Sequence, residues 1–173
     1  WFSTKAGLNR YDGYSFKVFS HDAYNPNTIS SNSINKLLLD QQGYMWVGTK
    51  AGLSGLDPQA MTFDRYSILS EVTAILEVRP GEVWVAADHL FRIVDGKVSR
   101  VEQIKAQVSQ LEVVGDNVWV SSSEKLYRMN SDGEVTSFDL PAELMQVSIF
   151  RGNIIAISHQ VWGKVVKVVT LLR

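Results

Sequence analysis

A tryptophan-centred strand recurs along this chain, and that recurrence constrains its fold more than any other feature. The copies are Trp1-Phe2-Ser3, Met45-Trp46-Val47-Gly48, Val83-Trp84-Val85-Ala86 and Val118-Trp119-Val120-Ser121, with Ile154-Ile155-Ala156-Ile157 as a degenerate fifth. Taking the tryptophan as anchor, or Ile155 in the last copy, the spacings are 45, 38, 35 and 36 residues. That is the length of one supersecondary unit. Seven residues after each anchor stands a large apolar side chain: Leu8, Leu53, Phe91, Leu126 and Trp162. Eleven residues after the first four stands a turn former, Asp12, Asp57, Asp95 or Asn130, and such residues bend the chain between strands.

After each turn comes a segment of period-two alternation, as in Ser15-Phe16-Lys17-Val18-Phe19 and Thr62-Phe63-Asp64-Arg65-Tyr66, the pattern of a strand. Before each later anchor lies another apolar run: Ile34 to Leu39, Val72 to Val78, Val108 to Val114 and Leu144 to Phe150. Each unit therefore holds four strands, named here A (before the anchor), B (the anchor), C and D. No window keeps helical periodicity over three turns. Four short antiparallel strands repeated in this way predict an all-β fold, a β-propeller of four-stranded blades. The chain reads as a single propeller fragment of four and a half blades from a larger ring. The half blade covers 1–19, and the blades cover approximately 33–66, 72–101, 108–138 and 144–173. Since it starts at Trp1 inside a strand-like pattern, it is expected to be a piece of something longer.

Composition narrows the partners. Of 173 residues, 17 are basic and 18 acidic, giving a net charge of −1 with no dense Lys/Arg run. A nucleic-acid partner is not expected, because phosphate tracking needs a basic face. There is no cysteine, hence no disulfide, thiolate metal site or cysteine nucleophile. The most apolar stretch, Val165 to Leu172, is short and contains Lys167, so this segment is not expected to be membrane-embedded.

In a propeller the B–C and D–A connections share one face and the A–B and C–D connections the other. Four residues after the anchors, in the B–C turns, stand Lys5, Lys50, Asp88, Ser123 and His159, a set whose charge changes from blade to blade as a binding mouth requires. The linker from His21 to Ser33 falls on the same face and adds Asn32. The candidate ligand-binding residues are Lys5, Asn32, Lys50, Asp88, His89, Ser123 and His159; the alternative is that these are solvated hairpin tips. Lys5 and Lys50 with Asn32 between them offer two ammonium groups and an amide to a polyhydroxylated or anionic small molecule. The tryptophans suit either sugar stacking or the filling of the wedge between blades, and repetition at one strand position favours the wedge. His21, His89 and His159 lack metal-ligand spacing, so no metal, cofactor or catalytic residue is expected and the domain is read as not an enzyme. Asp40, Glu77 and Glu112 end strand A and read as structural carboxylates.

At Met45-Trp46-Val47-Gly48-Thr49-Lys50-Ala51-Gly52-Leu53, fronted by Asp40-Gln41-Gln42-Gly43, the chain resembles the two-component regulator propeller repeat. A second instance is Gly7-Leu8-Asn9-Arg10-Tyr11-Asp12-Gly13, and Phe19 to Asn32 is similar to that family's Asn/Pro/Ser-rich linker. Later copies depart from the pattern, with Ala86-Ala87-Asp88-His89 and Ser121-Ser122-Ser123-Glu124 replacing Gly-Thr-x-x-Gly. The resemblance implies a periplasmic ligand-sensing domain of a bacterial transmembrane receptor, homodimeric as a whole. Its histidine kinase, or diguanylate cyclase with a GGDEF motif, would lie outside this chain. The ligand class it suggests is a small molecule, with carbohydrate foremost. The alternatives are a propeller lyase or hydrolase using the mouth histidines, and a protein-interaction scaffold.

Overall fold

A computed structural model describes residues 1–140, 144–150, 153–158 and 169–170, with side chains described through 140. The described residues contain strands and no helix, arranged as five antiparallel sheets in chain order. The first sheet has β1 (Phe2–Thr4), β2 (Gly7–Tyr11) and β3 (Phe16–Phe19). The second has β4 (Ile34–Leu39), β5 (Met45–Thr49), β6 (Gly52–Leu56) and β7 (Phe63–Arg65). The third has β8 (Ala74–Arg79), β9 (Glu82–Ala86), β10 (Leu90–Val94) and β11 (Lys97–Arg100). The fourth has β12 (Val108–Val114), β13 (Asn117–Ser122), β14 (Lys125–Met129) and β15 (Val135–Asp139). The fifth has β16 (Leu144–Phe150), β17 (Asn153–Ser158) and β18 (Val169–Thr170). Every strand pairs with its sequence neighbour, the meander of a propeller blade.

The core lies between blades. Because strand side chains alternate faces, each sheet has a face carrying the anchor tryptophan and a face carrying the residue after it. Trp46 and Leu53 of the second blade pack against Val83, Val85 and Ile93 of the third. Trp84 and Leu90 of the third pack against Val118, Val120 and Met129 of the fourth. Leu8 of the first packs against Met45, Val47 and Leu56 of the second. An isoleucine from each of the first three D–A connections, Ile29, Ile68 or Ile104, plugs the same wedges and is fully buried. Trp46, Trp84 and Trp119 are buried as the wedge reading requires; Trp1 is 40% exposed and leans on Phe19 with ring centroids 5.7 Å apart.

The repeat is irregular in the third blade. Seven residues after the anchor, Leu8, Leu53 and Leu126 lie opposite Ser3, Gly48 and Ser121, on the tryptophan face. In the third blade Ala86 lies opposite Leu90, so the turn there is one residue shorter. A one-residue slip exchanges faces. Leu90 is therefore the buried equivalent, and half-buried Phe91 points the other way, into the preceding wedge.

The turns explain the residues at them. Asp12 Oδ1 accepts the backbone N–H groups of Tyr14 and Ser15, and Asp57 Oδ1 those of Gln59 and Ala60. Asn130 Oδ1 does the same for Asp132 and Glu134. Asp95 acts differently: with Gly96 it forms a two-residue hairpin loop at φ 49° and 74°, the left-handed pair that matches strand twist. At the start of strand C, Gly52 has φ 131° and a side chain there would meet the carbonyl oxygen of Ile68.

The three strand-A carboxylates diverge. Asp40 is buried and structural: its Oδ1 accepts the N–H groups of Gln42 and Tyr44, and its Oδ2 the indole N–H of Trp46 at 2.9 Å. Glu77 accepts the backbone N–H of Gln41, a bond from the second blade to the third. Glu112 takes part in no ion pair or side-chain hydrogen bond found among the described residues.

Candidate functional site

The B–C turns place Lys5, Lys50, Asp88 and Ser123 in solvent at the tips of the first four blades, with His89 half-buried beside Asp88. Of the seven candidate residues, Asp88 and His89 are the one pair linked directly among the described residues, with Asp88 Oδ2 at 3.0 Å from His89 Nδ1. Ser70 from the D–A connection donates to Asp88 Oδ1 at 2.5 Å. These bonds, Ser70's foremost, hold the Asp88 carboxyl below the usual carboxylate range. Lys50 is fastened through its backbone, its N–H donating to Ser33 O at 3.0 Å, which leaves the ammonium exposed. In the fourth blade it is Ser122, not Ser123, that organises the turn, accepting from the N–H groups of Glu124 and Lys125. His159 lies outside the described residues.

Asn32 and His21 have another task. The amide oxygen of Asn32 accepts the backbone N–H of His21 at 2.6 Å, and His21 Nδ1 is 2.7 Å from Ile29 O. Both belong to a linker organised around Arg65 at the end of β7. Its guanidinium donates to the carbonyl oxygens of Asp22, Asn25, Thr28 and Ile29 and to the hydroxyl of Thr28. The Nε–H and the two Nη2–H groups serve these five acceptors by sharing, from one side of the planar guanidinium. The linker is thus a tied loop, and Asn32 is one of its ties.

A concavity among the described residues lies on the other face. A cleft of about 710 Å³ opens between the third and fourth blades, reached from the A–B and C–D turns. Arg79, Glu82, Arg92 and Arg100 line it from the third blade, and Asp116, Asn117, Asn130 and Asp132 from the fourth. None of the six described candidate residues lines it.

Glu82 is the centre of its wall. Its side chain is 6% exposed, yet it carries charge because it is surrounded by donors. Oε1 accepts from Trp84 Nε1 at 2.8 Å and Arg92 Nε at 2.6 Å; Oε2 accepts from Arg79 Nε at 2.7 Å and Arg92 NH2 at 3.1 Å. Burial alone would raise this carboxyl, but the bonds from Arg92, Trp84 and Arg79 outweigh it and bring the pKa down to about 2. The consequence is geometric. Arg79 and Arg92 are held by Glu82 while their side chains stay 61% and 42% exposed, and both line the cleft. Sequence reading missed this because Glu82 stands where the other blades have no carboxylate; the signal was Arg79, Glu82 and Arg92 bracketing one tryptophan.

Among the described residues no group of three or more His, Asp or Glu side chains is placed to hold a metal ion.

Comparison with known proteins agrees with this architecture. The chain superposes on the extracellular domain of the hybrid two component system BT3049 from B. thetaiotaomicron with TM-score 0.65 and 19% identity, covering 88% of this chain and 23% of that one. The extracellular domain of the hybrid two component system BT4673 from the same organism gives TM-score 0.70 and 18% identity over 90% of this chain and 24% of that one. A catalytically inactive virginiamycin B lyase from Staphylococcus aureus, bound to quinupristin, gives TM-score 0.62 and 15% identity over 83% of this chain and 53% of that one. At such identities the likeness shows the propeller fold. The chain spans about a quarter of the length of the two extracellular domains. No curated protein sequence matches it. The family model of the two component regulator propeller matches residues 28–51, from the end of the Arg65-tied linker through β4 and β5. Residues 28–51 of this β-propeller chain are thus similar to a two component regulator propeller repeat.

Proposed function

We propose that this chain is part of a periplasmic ligand-sensing propeller in a bacterial transmembrane signalling receptor, with its kinase or cyclase output carried elsewhere in the protein. The observation that carries this reading is the two component regulator propeller repeat at 28–51. The extracellular domains of two component systems that share the fold support it. So does the blade-to-blade difference in side chains at the turns, which lets a repeated frame discriminate one ligand from another. The test is protease accessibility of these residues in spheroplasts of cells making the full-length protein, paired with melting of that protein against a metabolite and oligosaccharide panel. Protection in intact spheroplasts would refute the extracytoplasmic placement. Absence of any shift would refute direct sensing and favour a protein partner.

A second reading, a lyase or hydrolase, is favoured by one contact. Asp88 orients His89 through Nδ1, which leaves Nε2 free to act as a base. That role predicts turnover of some panel member and its loss in His89→Ala with the melting temperature unchanged. Unaltered turnover in His89→Ala would exclude it.

A further inference from the structure

We infer that the cleft between the third and fourth blades binds a small zwitterion of the amino-acid or short-peptide type, its carboxylate on the arginine wall and its ammonium on the aspartate rim. The charges are sorted by blade. On the third-blade side stand Arg79, Arg92 and Arg100, with Glu82 as the shared anchor of the first two. Arg100 has only a long contact to Glu102, 3.7 Å from Nε to Oε1. On the fourth-blade side stand Asp116 and Asp132, both exposed and neither in an ion pair among the described residues.

A cleft with cations on one wall and carboxylates on the other favours a ligand whose own charges are separated in the same sense. A simple anion would gain at one wall and be repelled at the other. A neutral sugar would draw on hydrogen bonds alone, since the one aromatic among the lining residues, Trp84, is 3% exposed and offers no ring face for stacking. The arginines are already oriented by Glu82, so a carboxylate meets donors whose positions need little reorganisation. The volume falls within the roughly 300–1,000 Å³ range of small-molecule sites.

This ligand class deepens the sensing reading and rests on it only for its effect in the cell. The experiment uses the purified full-length protein, with melting followed by titration calorimetry. The probes are the twenty amino acids and the Ala-X dipeptides, each hit then repeated as its N-acetyl and its C-amide form. At least one free zwitterion is expected to bind, and each capped form to bind about tenfold or more weakly, since each cap removes one charge-assisted contact. Asp132→Asn should weaken the free form and leave the N-acetyl form unchanged, while Arg100→Gln should weaken the free form and leave the C-amide unchanged. Both residues are exposed, so unliganded melting should match the parent and show that the variants fold. Absence of binding by every probe overturns the assignment. So does equal binding of the capped forms, or binding that survives both variants. Binding in the cleft without any change in signalling output would instead refute the sensor role and leave the site standing.

Discussion

The indole N–H of Trp84 donates to the carboxylate of Glu82 at 2.8 Å, two residues back along the same strand. In the preceding blade the equivalent indole, of Trp46, reaches Asp40 at 2.9 Å, six residues back across the A–B turn. A buried indole needs an acceptor, and the two blades supply it from different places. What surrounds the acceptor differs too: backbone N–H groups at Asp40, two guanidiniums at Glu82. The first choice builds a turn and the second builds the wall of a cleft.

Replacing Trp84 by alanine should cost about 3–5 kcal/mol, because the ring fills the wedge between the third and fourth blades. Urea unfolding followed by circular dichroism measures it. A loss below about 1 kcal/mol would mean that the wedge collapses around the gap.

Glu82 ties stability to pH. Its folded pKa, about 2, lies below the ordinary 4.5, so its contribution is complete above pH 4.5 and is lost as pH falls toward 2. A shift of this size corresponds to on the order of 3 kcal/mol. The stability difference between the parent and Glu82→Gln should therefore be largest at pH 6 and shrink on acidification. A difference that stays constant from pH 6 to pH 3 would show that the carboxylate charge is not what the arginines and indole require.

Gly52→Ala should destabilise by about 1–3 kcal/mol, since φ 131° is strained for any other residue and the new methyl would press on the Ile68 carbonyl. Gly96→Ala, at φ 74° with open space around it, should cost less. Chemical denaturation of both variants tests the order, and a reversed order would refute the steric argument.

Arg65→Ala should loosen the linker without unfolding the blades. Hydrogen exchange of residues 21–30 should accelerate severalfold while β5 and β9 stay protected. Arg65→Lys should not restore protection, because a point-like ammonium cannot serve carbonyls that a planar fork serves together. Full rescue by lysine would reduce the role of Arg65 to charge.

Lys50→Ala should leave stability within about 0.5 kcal/mol, as expected of an exposed turn side chain. Its effect on ligand response, set against that of Arg100→Gln, separates the two faces. A response lost only in Lys50→Ala would return the site to the B–C turns.

The strands were legible because two periodicities coincide. Ile34–Leu39, Val108–Val114 and Leu144–Phe150 are strand A where the apolar runs before each anchor predict it. The wedge role of Trp46, Trp84 and Trp119 followed from one packing problem posed repeatedly. The face of Phe91 was not legible, because it depends on a single residue of turn length and offset counting assumes that length constant. Asn32 reads as a free amide in sequence; only the fold reveals that the His21 N–H occupies its oxygen. The cleft was invisible for a related reason. It arises from the space between two blades, and no residue in either blade encodes that space alone.

The two unlike faces of each blade give the molecule a direction. Between the second and third blades, and again between the third and fourth, a tryptophan-bearing face meets a valine-bearing face. Such head-to-tail contacts cannot close as a symmetric pair; they add like monomers on a polar filament that bends. Duplicating or deleting one whole blade would therefore leave every remaining junction chemically matched and alter only the curvature through which the ring must turn. A fold put together on these terms can change its circumference by recombination at the D–A connections, with a new wedge arising at each added junction.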